Sequence, residues 1–406
     1  MLRRLATALL LLAGSTPALA LPTGSGASDP SVVIGVVATL TGPGSIAGQD
    51  TVDGINLALK QLGGRFSNQE VRVVVTDDKG SPDVARQQLH RLLERERLDV
   101  VLAAGSAPSL AAMLPALDDR RLFLFTLGQV PPEVGGPQCS PWLFNIEAPP
   151  DGVHEALGQY LAAEKARRVV VVGPAGAMTA NAVAAFKHTF PGEVVAVLNP
   201  KPGATTYAPE IEAIAKAKPD AIYSLLTGGM GAAFVRAWGS STLKGEVPLY
   251  PLWSTVERQF LPSMGEVQDL PSIGTWSADV DTPANKRMVT DFEVEYGRPA
   301  STWVAQGYDA VFLLDGALKA TNGKTVNPDA VRNALRRADF VSTRGSFKFS
   351  TNHMPVLNYY LRRVGRDAKG RPTQEIKSVV LKEWRDRQAP TCPMRWVEEP
   401  PPPAKK

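Results

Sequence analysis

The feature that most narrows what this chain can become is an alternation. Short, β-branched apolar runs give way to stretches in which apolar residues recur every three or four positions. Val32 to Ala38 reads as a strand, followed by a helix with Val52, Ile55, Leu59 and Leu62 on one face. Val71 to Thr76 is a second strand, Val100 to Ala104 a third and Leu122 to Thr126 a fourth. Helices marked by Ala85, Leu89 and Leu92, and by Leu110 to Leu117, lie between them. The strand runs are apolar on both faces, which predicts a parallel sheet covered on both sides by helices. The pattern then restarts. Val153 to Ala163, Asn181 to His188, Ile211 to Ala217 and Gly231 to Trp238 read as helices. Arg168 to Val172, Val194 to Leu198, Ala221 to Leu226 and Pro248 to Pro251 read as strands. After Ser277 a third block holds helices over Asn285 to Tyr296 and Ala305 to Ala320, and strands at Phe347 to Phe349 and Asn358 to Val364. Two β/α arrays in series, in a chain of 406 residues, predict two domains, since one domain typically takes ~100–200 residues.

The ends bear on compartment. Met1-Leu2-Arg3-Arg4 is a positive start, Leu5 to Ala13 is apolar, and Ala18-Leu19-Ala20 is a small-x-small cleavage site. That order reads as a signal peptide over residues 1–20. The apolar run is shorter than the roughly 20 residues that span a bilayer. With no cysteine at the cleavage site to carry a lipid, the expectation is release into a Gram-negative periplasm. In an exported chain an even pair of cysteines, Cys139 and Cys392, reads as a disulfide, against the alternative of two unrelated buried thiols. The bond would pin a Pro-rich tail, residues 385–406, to the body. Lys plus Arg is 44 and Asp plus Glu is 40, with no basic block, so nucleic-acid binding has no support.

No catalytic, metal or cofactor signature emerges. The glycine-rich turn from Gly42 to Gly48 has a dinucleotide-like spacing, but Pro43 deletes an amide from it and the expected compartment is a poor one for a diffusing nicotinamide. Asp77-Asp78, at a strand's carboxyl end, reads as a loop-capping pair. His90, His154, His188 and His353 are scattered singly and read as surface residues. There is no His-Glu-x-x-His and no Gly-x-Ser-x-Gly. The informative positions are strand ends, where open α/β sheets bind ligands. Thr41 follows the first strand. Ser106 and Ala107 open the helix after the third, where a cap and free amides suit a carboxylate; the alternative is a cap only. Gly128 and Gln129 follow the fourth strand. Gly229, Met230, Trp253 and Ser254 hold the equivalent ends of the second array. Trp253 is either core or an aromatic wall for a flat ligand.

Several segments together resemble the Leu/Ile/Val-binding-protein family, the type I periplasmic binding proteins of branched-chain amino-acid-type ABC importers. They are Ile34-Gly35-Val36 to Leu40-Thr41-Gly42-Pro43, Thr76-Asp77-Asp78 with Pro82 and Ala85, Gly105-Ser106, and Lys218-Pro219-Asp220-Ala221-Ile222-Tyr223. The likeness covers roughly residues 32–384, by order and spacing rather than by any single motif. It implies an α/β fold of two Rossmann-like lobes joined by three hinge strands. The first lobe would hold residues 30–146 plus 277–350 and the second 147–276 plus 351–384. It also implies a small-molecule solute, ABC permease and ATPase partners, and binding without catalysis. The likeness departs at the ligand site. Amino-acid-binding relatives complete an ammonium site with a Thr after the fourth strand and an acid in the second lobe. Here the first position falls on Val130 or Gln129, and Pro251-Leu252-Trp253-Ser254 carries no acid. A subgroup that binds aromatic carboxylates is more similar. The likeness lies in Cys139-Ser140-Pro141 before Phe144, Gly228-Gly229, Ala305 to Ala310, Arg344 to Lys348 and the Cys near the C-terminus. An aromatic carboxylate is therefore the expected ligand class. A branched-chain amino acid or amide is the alternative, and a ligand-sensing receptor on the same fold is a second.

Overall fold

The computed structural model describes residues 32–323 and 327–394. The leader expected over residues 1–20, and the end of the tail from residue 395, lie outside the described residues.

The first array gives β1 (Val32–Ala38), α1 (Ser45–Gln61), β2 (Arg65–Phe66), β3 (Gln69–Asp77), α2 (Pro82–Arg95), β4 (Val100–Ala104), α3 (Ala107–Arg120), β5 (Phe123–Thr126) and β6 (Leu143–Asn145). These strands make a six-stranded sheet in the order β2-β3-β1-β4-β5-β6, parallel except for the short β2–β3 hairpin. The second array gives α4 (Pro150–Ala163), β7 (Arg168–Val172), α5 (Ala177–Thr189), β8 (Glu193–Leu198), α6 (Ala208–Ala217), β9 (Ala221–Ser224), α7 (Gly228–Gly239) and β10 (Leu249–Pro251). Its strands pair in parallel in the order β10-β9-β7-β8. The last block supplies β11 (Pro271–Gly274), α8 (Pro283–Tyr296), α9 (Thr302–Ala320), α10 (Pro328–Arg337), β12 (Lys348–Phe349), β13 (Pro355–Arg366) and β14 (Pro372–Trp384). There β13 takes β11, β12 and β14 as antiparallel partners.

Burial explains how the last block is shared. Ile34, Leu102, Phe125 and Phe144 of the first sheet form one core with Phe292, Val304, Leu314 and Leu335 of α8, α9 and α10. Val169, Val171 and Tyr223 of the second sheet pack with Leu157, Phe186, Leu357, Tyr359 and Leu361. The chain thus passes between the two cores near Glu147, near Gly274–Ser277 and between Ser350 and Pro355. This is the expected pair of Rossmann-like lobes with three crossings. Helix α9 lies backbone to backbone on α1: a Cβ on Gly307 would sit 2.2 Å from Thr51 O.

Two of the four histidines are not surface residues. His353 is fully buried, with its ring stacked 4.1 Å from Phe144. It donates from Nδ1 to Leu143 O (3.0 Å) and accepts at Nε2 from Arg336 Nε (2.9 Å). His154 is 2.5 Å from the Tyr223 hydroxyl, and burial pulls its pKa down to about 4. Burial holds His353 lower still, at about 3, so both rings are neutral at ordinary pH. A lone histidine in sequence carries no sign of which face it takes. His90 and His188 are exposed, as expected.

Candidate functional site: the crevices at the strand ends

Each sheet has one point where its strand order reverses. β1 lies between β3 and β4, and β7 lies between β8 and β9, so the loops leaving these strands diverge and open a crevice.

On the first sheet the crevice is built from tightly held backbone. Asp77 Oδ1 accepts from Leu40 N (2.9 Å) and Lys79 N (2.8 Å), and its Oδ2 accepts from Thr41 Oγ1 (2.7 Å). Asp78, fully buried, accepts from Thr39 Oγ1 (2.7 Å) and Gly80 N (2.8 Å). The two acids thus cap loops, as the sequence suggested, and the Thr41 hydroxyl is already engaged. Ser106 is the N-cap of α3: its Oγ accepts from Ser109 N (3.3 Å) and donates to Ser109 Oγ (3.1 Å). Pro108 has no amide, so Ala107 and Ser109 carry the amides of that first turn. Gly128 follows β5 so closely against the neighbouring loop that a Cβ there would lie 2.1 Å from Gly105 O. Gln129 beside it is exposed.

The second crevice is bordered by two adjacent glycines. Gly228 adopts φ +56° and Gly229 has nothing within 4 Å of a Cβ position. Met230 is half-buried and packs on the second core, and its carbonyl accepts from Tyr207 OH (3.0 Å). Trp253 and Ser254, after β10, are half-buried. The Trp253 ring packs on the second core and meets Trp303, at the start of α9, with centroids 5.5 Å apart. Phe260 completes the group, 6.3 Å from Trp303. An aromatic contact therefore spans the two lobes. Trp303 and Phe260 were missed in the sequence; the available signal for Trp303 was an aromatic one step inside the Ser301-Thr302 helix start.

The seam beside this contact is ionic. Glu257, buried, accepts from Thr302 N (3.0 Å) and Thr302 Oγ1 (2.8 Å), and lies 3.6 Å from buried Arg362. Asp50 pairs with Arg298 (2.5 Å) and accepts from Ser301 Oγ (2.5 Å) and Gln259 Nε2 (3.1 Å). Burial nonetheless pushes its pKa up to about 6. One helical turn beyond Thr302, Gln306 faces Glu147 at the first crossing, where burial raises the carboxyl to about 7 against the pull of Gln306 and Arg344. Buried Arg344 donates to Asp309 Oδ2 (3.0 Å) and Ile146 O (2.6 Å). Cys139 and Cys392 are bonded, with Cα atoms 5.7 Å apart. Among the described residues, no group of His, Cys, Asp and Glu side chains is arranged to hold a metal ion, and no helix is long and apolar enough to cross a membrane.

The structure therefore places Thr41, Ser106, Ala107, Gly128 and Gln129 at strand ends of the first sheet. It places Gly229, Met230, Trp253 and Ser254 at those of the second. Comparison with known proteins gives the same architecture. An ABC-transporter solute-binding protein from R. palustris, solved in complex with benzoate, superposes with a TM-score of 0.80 at 23% identity, covering 89% of this chain and 99% of that one. An ABC-transporter substrate-binding protein from Sphaerobacter thermophilus gives 0.82 at 26% identity, covering 87% and 99%. LivJ from Streptococcus pneumoniae, in complex with isoleucine, gives 0.74 at 18%, covering 85% and 99%. In sequence, Leu/Ile/Val-binding protein homolog 6 of Brucella abortus is 22% identical over 350 residues, covering 84% of this chain and 89% of its own length. A family model described as "Periplasmic binding protein" matches residues 31–371, and the chain belongs to that family.

Proposed function

We propose that the chain captures a small aromatic carboxylate without an ammonium group in the cleft between its lobes, and delivers it to the permease and ATPase of an ABC importer. The observation that carries this reading is the wall around Trp253. An α-amino acid needs a free acid there, and an ammonium buried without one costs several kcal/mol. Position 253 is instead a tryptophan in contact with Trp303. The acid next along the chain, Glu257, is already taken by Thr302 and Arg362. Asp50 is likewise committed to Arg298, Ser301 and Gln259. On the other wall, the Ala107 amide at the start of α3 suits a carboxylate, and the Ser106 hydroxyl can join it by turning from Ser109 Oγ to the ligand.

In this reading Thr41, Ser106, Ala107, Gly128 and Gln129 face the ligand from the first lobe, and Gly229, Met230, Trp253 and Ser254 from the second. The lobes, residues 30–146 plus 277–350 and 147–276 plus 351–384, close by bending at the three crossings. Binding is the whole of the chemistry. Residues 1–20 act as the export signal and the chain works in the periplasm. The benzoate-bound relative supports the aromatic class, and the isoleucine-bound one keeps a branched-chain amino acid as the alternative. Titration calorimetry with benzoate, 4-hydroxybenzoate, leucine and isoleucine decides between them. Binding of an aromatic acid with no heat from leucine or isoleucine is expected; tight leucine binding overturns the reading.

A further inference from the structure

The segment after β14 leaves the second lobe and ends bonded to the first. Trp384 donates from Nε1 to Glu155 Oε2 on α4 (2.8 Å). Arg387 pairs with Glu155 and with Asp151 on the same helix, the latter at 3.0 Å. From there the chain turns onto residues 132–139. Asp386, 7% exposed, accepts from Asn352 Nδ2 (2.8 Å), which also donates to Gly135 O (2.6 Å). Gly135 and Gly136 make room for it: a Cβ on Gly135 would sit 2.3 Å from Asp386 Oδ2, and one on Gly136 2.7 Å from Thr391 Oγ1. The path closes at the Cys139–Cys392 disulfide, across a sequence separation of 253.

We propose that residues 385–392 are a covalent strap, a fourth connection between the lobes, and that it limits how far the cleft opens. The strap runs beside the hinge. Asn352 lies in the third crossing, and Asp151, in the first turn of α4, follows the first crossing at Glu147 by four residues. It is also held short. Gln388 N donates to Asp386 Oδ1 (3.0 Å), and a 3₁₀ turn over Ala389–Thr391 takes up chain that would otherwise be slack. Any opening that carries residues 132–139 away from α4 must unwind that turn or break the Arg387 ion pairs, because the disulfide cannot let go. Breaking the bond frees one end. The open state then gains conformations, and the fraction of molecules in the closed form falls. Such a bond persists in an oxidising compartment and opens only where reductant reaches it.

The test uses the full chain without ligand, so it does not depend on which solute binds. Small-angle scattering compares the oxidised protein with Cys139→Ser/Cys392→Ser, and near-ultraviolet circular dichroism monitors side-chain packing in both. The expected result is a larger radius of gyration in the variant with its packing signal retained. An unchanged radius overturns the proposal. A larger radius with the packing signal lost overturns it too, because the bond then serves general stability. If the double variant does not fold, Arg387→Ala with the disulfide intact decides: a smaller increase in radius supports the strap, and no increase overturns it.

Discussion

The loops on the two sides of the cleft leave sheets of related topology, yet they are finished differently. On the first lobe, two carboxylates, Asp77 and Asp78, hold the loops after β1 and β3, and Gly105 and Gly128 bring neighbouring loops into backbone contact. On the second, neutral side chains hold the loops, Thr255 Oγ1 donating to Leu226 O (2.7 Å) and Asn199 Nδ2 to Gly173 O (2.9 Å), and a Cβ on Gly228 or Gly229 would meet nothing within 4 Å. A locked wall presents its donors in fixed directions, which suits a carboxylate. A wall held by neutral groups and carrying Trp253 and Met230 suits an apolar body. For the aromatic acid proposed as the solute, affinity for the charged end should come from preorganisation and affinity for the ring from burial.

The largest expected effect sets one glycine of each wall against the other. Gly128→Ala drives a Cβ into Gly105 O and should cost about 3 kcal/mol of unfolding free energy. Gly229→Ala meets no atom and should change stability by no more than about 0.5 kcal/mol. Equal losses in denaturant unfolding would break the contrast between the walls.

A second measurement separates the walls from the seam between them. Burial raises the Glu147 carboxyl from 4.5 to about 7, so the folded protein keeps a proton there that the unfolded chain releases. The associated stability is complete below about pH 4.5 and is lost as pH rises through 7. Glu147→Gln lacks this dependence. The stability of the natural protein relative to the variant should therefore fall by roughly 2–3 kcal/mol between these limits. His154 and His353 titrate in the opposite sense, since their lowered pKa values make stability fall with acid, but they do so in both proteins and cancel in the difference. A flat difference would show that Glu147 is not a source of the pH response and leave Asp50 as the seam's titrating acid.

The smallest expected effect concerns the ring. Trp253→Ala and Trp303→Ala, one from each lobe, should each weaken 4-hydroxybenzoate binding by roughly 1–2 kcal/mol through lost burial and ring contact. Calorimetry reads both. A loss only at Trp253 would leave ring recognition to the second lobe alone.

Much of the architecture was legible because it is local. Val32–Ala38, Val100–Ala104 and Arg168–Val172 begin and end where their apolar runs do. Ala85, Leu89 and Leu92 are the buried face of α2. Ser106 caps α3 as its type suggests. Elements whose reason lies elsewhere were missed. β6 and β11 are short, and β14 is a polar edge strand that, among the described residues, pairs with β13 alone. α10 was legible but not read: Val331, Ala334 and Leu335 keep the i, i+3, i+4 stripe of a helix behind the Asn327 cap and Pro328.

By itself the sequence determined two covered β/α arrays, the capped loop at a strand end of the first and an even pair of cysteines. These follow from side-chain period, capping chemistry and residue counts, all readable within a few turns of chain. Only the tertiary structure decided that Trp303 meets Trp253, and that Glu257 is spent on Thr302 and Arg362. It also decided that the disulfide ties one lobe to the other. Those contacts join residues 45 or more positions apart. Their partners are chosen by how whole elements pack, which no local period encodes.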